Sequence, residues 1–94
     1  MLAYFEKLRL ENKVDALFVI GPKNSFGSWE VEYFNNFNVE AKLEILGKRN
    51  TRKLFYEKVL TSNLILAHFA TVTNDVEYLK SFFKRNRILL VVDE

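Results

Sequence analysis

The sequence predicts an α/β fold in which a parallel sheet is covered on both faces by helices. Three observations carry this expectation. Val14 to Ile20 and Ile88 to Val92 are short, nearly uniform apolar runs rich in β-formers, too brief for buried helices and lacking the alternation of half-wet strands, so they read as strands buried on both faces. Between such runs lie segments whose apolar residues recur at helical spacing. Strand and helix signals then alternate along the whole chain, the mark of parallel β-α-β units.

Composition bounds what the chain can do. Ninety-four residues make one small domain, and 49% hydrophobic content with nine Phe supplies a core. Fourteen Lys and Arg against twelve Asp and Glu leave a net charge of +2, so attraction to phosphate would come from local patches and not from the whole field. The absence of Cys excludes disulfides and thiolate metal sites, and a single His, His68, excludes a His cluster. No apolar run approaches the roughly 20 residues of a membrane span, and Glu6, Lys7 and Arg9 stand where a signal peptide would be apolar. A soluble, intracellular protein, cytoplasmic or nuclear, is expected.

Leu2, Phe5 and Leu8 predict an amphipathic helix from residue 2 to about residue 11, with no N-cap, as in a chain cut from something longer. The first strand, Val14 to Ile20, stops at Gly21 and Pro22. Ser25 is placed to cap a helix with Phe26, Trp29, Tyr33 and Phe37 inward, its last turn weakened by Asn35 and Asn36. Val39 to Leu46 alternates apolar with charged and predicts a strand with one wet face, at a sheet edge. Gly47, Lys48 and Arg49 make a basic turn. Thr51 then caps a helix to about Leu60 that buries Leu54, Phe55 and Val59. Asn63 to Phe69 is the third strand. Asn74 and Glu77 form a capping box for a helix with Val76, Leu79, Phe82 and Phe83 inward, and Lys84, Arg85 and Arg87 suit its C-terminal end. The fourth strand is Ile88 to Val92, ending in the carboxylates Asp93 and Glu94.

Several clusters could carry chemistry. Gly21 to Ser25 follows a strand and opens a helix, so its N–H groups and Lys23 could meet a phosphate; it could equally be a plain strand-to-helix turn. Asp93 and Glu94 at a strand's C-terminal end suit a Mg²⁺–nucleotide site, or are a solvated acidic tail. His68 and Phe69 stand on the same rim as Lys23 and Asp93, and a lone His there is either structural or a ligand. No glycine-rich dinucleotide fingerprint or phosphate loop occurs, no Ser or Cys nucleophile has an evident acid partner, and Trp29, Tyr33 and Phe37 read as core.

Together these residues resemble part of the first RecA-like lobe of a superfamily-two helicase or translocase, nearest the Swi/Snf-like branch. ALFVIGPKNSFGSWEVEYF (Ala16 to Phe34) resembles the strand, Pro-x-x-Ser turn and Trp-bearing helix of motif Ia, and LILAHFATVTNDVEYLK (Leu64 to Lys80) resembles motif Ib and its helix. ILLVVDE resembles the start of motif II, the Walker B strand. The resemblance implies a three-layer sandwich with a four-stranded parallel sheet in the order 4-1-3-2. It implies a DNA helicase or translocase that couples ATP hydrolysis to movement on nucleic acid, duplex DNA first of all. Lys23, Ser25, His68 and Phe69 would face the nucleic acid, with Lys48 and Arg49 as further phosphate contacts. Asp93 would hold Mg²⁺ through water, and Glu94 would polarise the attacking water.

Departures qualify the match. Ala67-His68-Phe69 stands where the family has small hydroxylated residues and Tyr. The family's phosphate loop would precede Met1 and the rest of motif II would follow Glu94, so residues 1–94 are expected to be a truncated ATPase-lobe segment, inactive alone, with Mg²⁺ and ATP bound only in the parent protein. Cut there, Ile88 to Val92 would be an apolar edge able to pair two copies. The rival reading is a complete small α/β binding module that uses its strand-end rim for a partner or ligand, in the manner of response-regulator-like folds.

Overall fold

The sheet is built on β1 (Ala16–Ile20), whose five residues are all buried. In the computed structural model, which describes residues 2–93, β1 pairs in parallel with β3 (Leu64–Ala67) on one side and with β4 (Ile88–Val92) on the other. β2 (Leu43–Ile45) pairs in parallel with β3, giving the order β2-β3-β1-β4. Read from the other edge this is 4-1-3-2, the order expected. The registers Phe18↔Ile65 and Phe18↔Leu90 place β1 at the sheet's centre, where its ladder groups find partners on both sides.

Side chains of β1 and β3 alternate between two helical layers. Leu17, Val19, Leu64 and Leu66 pack on α1 (Leu2–Leu10) and α2 (Phe26–Phe37), through Leu2, Phe5, Phe26 and Tyr33. Ala16, Phe18, Ile20, Ile65 and Ala67 pack on α3 (Arg49–Glu57) and α5 (Val76–Arg85), through Phe55, Tyr56, Leu79 and Phe82. A short helix α4 (Phe69–Asn74) precedes α5. The result is a three-layer sandwich. Its largest fully buried side chains are Phe5, Phe18 and Phe82, each contributing about 1.5–3 kcal/mol by burial alone.

Four sequence expectations are corrected. The strand expected over Val39 to Leu46 is only Leu43–Ile45 at the sheet edge; Val39 and Ile45 are exposed, while Leu46, beyond the strand, is buried. Lys48, and not Thr51, holds the N-cap position of α3, which ends at Glu57, before Val59. That shift puts Arg52, Phe55 and Tyr56 on the inner face at i, i+3 and i+4, and leaves Leu54 and Val59 in solvent. The Asn74–Glu77 capping box does not form, because Asn74 ends α4 and Asp75 breaks the chain before α5; Val76 is exposed and Glu77 pairs with Lys80. Finally, β4 is not buried on both faces. Leu89 and Val91 pack on the α1–α2 layer and Ile88 on the α3–α5 layer, but Leu90 and Val92 are 47% and 55% exposed.

Helix ends have local causes. α1 and α2 are followed by left-handed Asn12 and Asn38, a conformation Asn tolerates better than most residues, so α2 runs its full length despite Asn35 and Asn36. Arg87 lies past α5 and grips Asp15 bidentately at 3.1 and 2.8 Å, tying the start of β4 to the start of β1.

Candidate functional site

The C-terminal ends of the strands form a rim, and Gly21 is its pivot. Its N–H donates to Ala67 O at 3.0 Å, while the Asp93 N–H donates to Ile20 O at 2.7 Å, so the tips of β3 and β4 both close on the end of β1. A Cβ on Gly21 would lie 2.8 Å from the Asp93 carbonyl oxygen and 3.2 Å from its Cβ. Gly21 has no positive φ, so glycine is needed here for room and not for conformational freedom.

Pro22, extended at φ −70° and ψ 146°, starts a 3₁₀ turn over Lys23–Ser25 that leads into α2. The Ser25 hydroxyl donates to Pro22 O at 2.8 Å. Ser25 therefore braces the turn and does not cap α2 through its side chain, a correction to its expected capping role. One turn into α2, the Trp29 indole N–H donates to Asp93 Oδ2 at 2.9 Å. Trp29 is half-buried and packs on the α1–α2 core as its helical spacing predicts, and its indole also holds the strand-end carboxylate.

Beside this pivot lies an open cleft of about 440 Å³. Phe26, Ile45 and Leu46 give it apolar walls, Lys23 stands on one side, Gly47 and Lys48 form a second lip, and His68 and Thr71 form a third. His68 N-caps α4, with Nδ1 accepting from the Ala70 N–H at 3.4 Å. Two ammonium groups and an imidazole around apolar walls suit an anion carried on a partly apolar body, as a sugar-phosphate chain is.

The predicted site residues thus fall into separate groups. Lys23, Lys48 and His68 line one cleft. Ser25 and Asp93 meet around Gly21, facing inward to Pro22 and Trp29. Phe69, 42% exposed in the first turn of α4, does not line the cleft, and Glu94 lies outside the described residues. Among the described residues no group of three or more acidic or His side chains could hold a metal ion. One carboxylate already bonded to an indole does not fit a self-sufficient Mg²⁺ site, and no hydrolytic step is assigned to these residues.

One constellation has no forerunner in the sequence reading. Asp75, 6% exposed, accepts from Arg52 Nε at 2.5 Å, Arg52 Nη2 at 3.0 Å and the Tyr56 hydroxyl at 2.7 Å. The third guanidinium nitrogen, Arg52 Nη1, donates to Gly47 O at 2.6 Å. Burial pushes the Asp75 carboxyl up, but the hydrogen bonds from Arg52 and Tyr56 outweigh it and hold it below its ordinary 3.8. Burial, then the Asp75 hydrogen bond, push the Tyr56 hydroxyl well above its ordinary 10.0. The spacing of Arg52, Phe55 and Tyr56 was a usable signal for an inward Arg; its acidic partner, 23 residues on, was not visible. No protein-family model, curated protein or solved structure matches the chain.

Proposed function

We propose that this chain belongs to the first RecA-like ATPase lobe of a Swi/Snf-like DNA helicase or translocase, which couples ATP hydrolysis to movement on duplex DNA, and that it supplies nucleic-acid-facing parts of that lobe. Strand order is the observation that carries the reading. Alternating helices and strands are compatible with several parallel orders, and the rival response-regulator-like module would run 2-1-3-4. The sheet runs 2-3-1-4, with the acidic-ended strand β4 beside β1, the strand that leads into Gly21–Ser25, and the amphipathic strand outermost, as the helicase resemblance requires.

In this reading Lys23 and Lys48, both lining the cleft, hold phosphates, and His68 lines it with them. Asp93, oriented by Trp29, belongs with Glu94 to the Mg²⁺–ATP end of the lobe. Such contacts read the nucleic-acid backbone and carry no base sequence.

Fluorescence anisotropy with duplexes of unrelated sequence tests this. Binding is expected to be weak, equal across sequences and reduced about tenfold from about 50 to about 200 mM salt, as for two phosphate contacts. Lys23→Ala should remove one of them, lowering affinity about fivefold at ~0.15 M salt for every sequence. Tight binding of one sequence, or binding indifferent to both salt and Lys23→Ala, would sink the proposal.

We also propose that residues 1–94, taken on their own, self-associate through β4. Its five aliphatic residues carry no charge and form the sheet's outer edge, and exposed apolar edges recruit another strand, most simply antiparallel across a two-fold axis. Sedimentation velocity should show a dimer at about 100 μM, where assembly is favoured by mass action; a clean monomer would refute the pairing. Among the described residues no helix is long and apolar enough to cross a membrane.

A further inference from the structure

We propose that the buried Arg52–Asp75 pair positions the Gly47–Lys48 lip of the strand-end cleft, and so sets where Lys48 stands for a nucleic-acid phosphate. The functional half of this rests on the nucleic-acid reading above; the positioning half does not.

The lip has little else to hold it. Gly47 is exposed, and a Cβ added there would meet nothing within 4 Å. Lys48 is extended and exposed, and its side chain makes no cap to α3. Upstream, the chain is anchored by buried Leu46, whose N–H donates to Leu66 O at 3.0 Å. Downstream, it is held by Arg52, through Nη1 to Gly47 O at 2.6 Å and through its backbone N–H to Lys48 O at 2.9 Å.

Orientation of the guanidinium comes from Asp75. With Nε and Nη2 both committed to the carboxylate, the rigid fork has one direction left for Nη1, and that direction is the lip. Asp75 is fixed in turn by the Tyr56 hydroxyl and by its own N–H, which donates to Thr71 O at 3.0 Å. Thr71 is itself a cleft residue on α4, the helix capped by His68. The pair therefore ties two walls of the cleft, the β2–α3 loop and α4, into one unit. A lysine at position 52 could keep the charge but could not engage both carboxylate oxygens and Gly47 O together.

Backbone ¹⁵N relaxation on the whole chain, with anisotropy on duplex DNA, tests the idea. Gly47 and Lys48 should be as rigid as α3 in the wild type and loosened in Arg52→Lys. Tyr56→Phe, which removes only the hydroxyl on Asp75, should loosen them less, and it serves where Arg52→Lys does not fold. Duplex affinity of Arg52→Lys should fall about fivefold at ~0.15 M salt, the worth of one phosphate contact. Adding Lys48→Ala to it should then change affinity little, because both act on one contact. A lip already mobile in the wild type, a lip unchanged in a folded variant, or fully additive losses would overturn the proposal. If the wild type binds no duplex at all, it is the nucleic-acid reading that falls, and relaxation alone decides the positioning.

Discussion

Asp75→Ala is expected to destabilise the fold by about 3–5 kcal/mol, the usual cost of removing one partner of a buried ion pair. For a domain whose total stability is about 5–15 kcal/mol, that approaches unfolding. The loss has two sources. The Arg52 guanidinium keeps its charge with its side chain 11% exposed, and the buried Tyr56 hydroxyl loses its acceptor inside an aromatic cluster with Phe55 and Phe82. Asp75→Asn retains an acceptor but not the charge, and should cost less. Urea denaturation checks this as a drop in midpoint at unchanged slope; a loss under about 1 kcal/mol for Asp75→Ala would mean that water reaches the pair and that its burial is not sustained in solution.

The same pair gives the fold a pH signature. Asp75 has a folded pKa below its ordinary 3.8, so its contribution is complete above that value and is lost as pH falls through the lowered folded value. Tyr56 behaves oppositely. Its folded pKa is raised above 10.0, so its contribution is complete below pH 10.0 and declines as pH rises from there towards the folded value. Asp75→Asn should flatten the acid limb of a stability profile, and Tyr56→Phe the alkaline limb.

What could be read from the sequence follows from how local each determinant is. β1 and β4 declare themselves by unbroken apolar runs, and α2 and α5 by a stripe of apolar side chains, because each pattern is complete within one element. α3 misleads because its inner face carries Arg52 in place of an apolar residue, so counting hydrophobes rotates the helix and recruits Leu54 and Val59. Nor can local capping rules place the α4–α5 break, since the Asp75 carboxylate is spent on α3 and not on its own helix. The Trp29–Asp93 bond joins residues 64 apart, and only the strand order brings them together. Lys23 and His68 were legible as rim residues because both follow strands of one parallel sheet; the depth of the cleft between them depends on Ile45 and Leu46, at the end of a strand whose length the alternation overstated.

At the pivot of that rim, Gly21→Ala is expected to cost about 1–3 kcal/mol, as overpacking does. The new methyl would sit 2.8 Å from the Asp93 carbonyl oxygen, and backbone cannot swing aside as a long side chain does. Relief requires the end of β4 to move off β1, which strains the Asp93 N–H bond to Ile20 O and draws the carboxylate away from Trp29. Because Trp29 is the single tryptophan, its emission reports that displacement without any label. Gly27→Ala is the internal control. A Cβ there meets nothing within 4 Å, and the residue lies in α2, so alanine should stabilise by up to about 1 kcal/mol through helix propensity. The two substitutions add the same methyl group and should shift Tm in opposite directions, Gly21→Ala downward by about 4–8 °C per kcal/mol for a domain of this size. A Gly21→Ala protein with wild-type Tm and unchanged Trp29 emission would mean that the tips of β1 and β4 are not in contact, and would remove the basis for placing Asp93 at the rim.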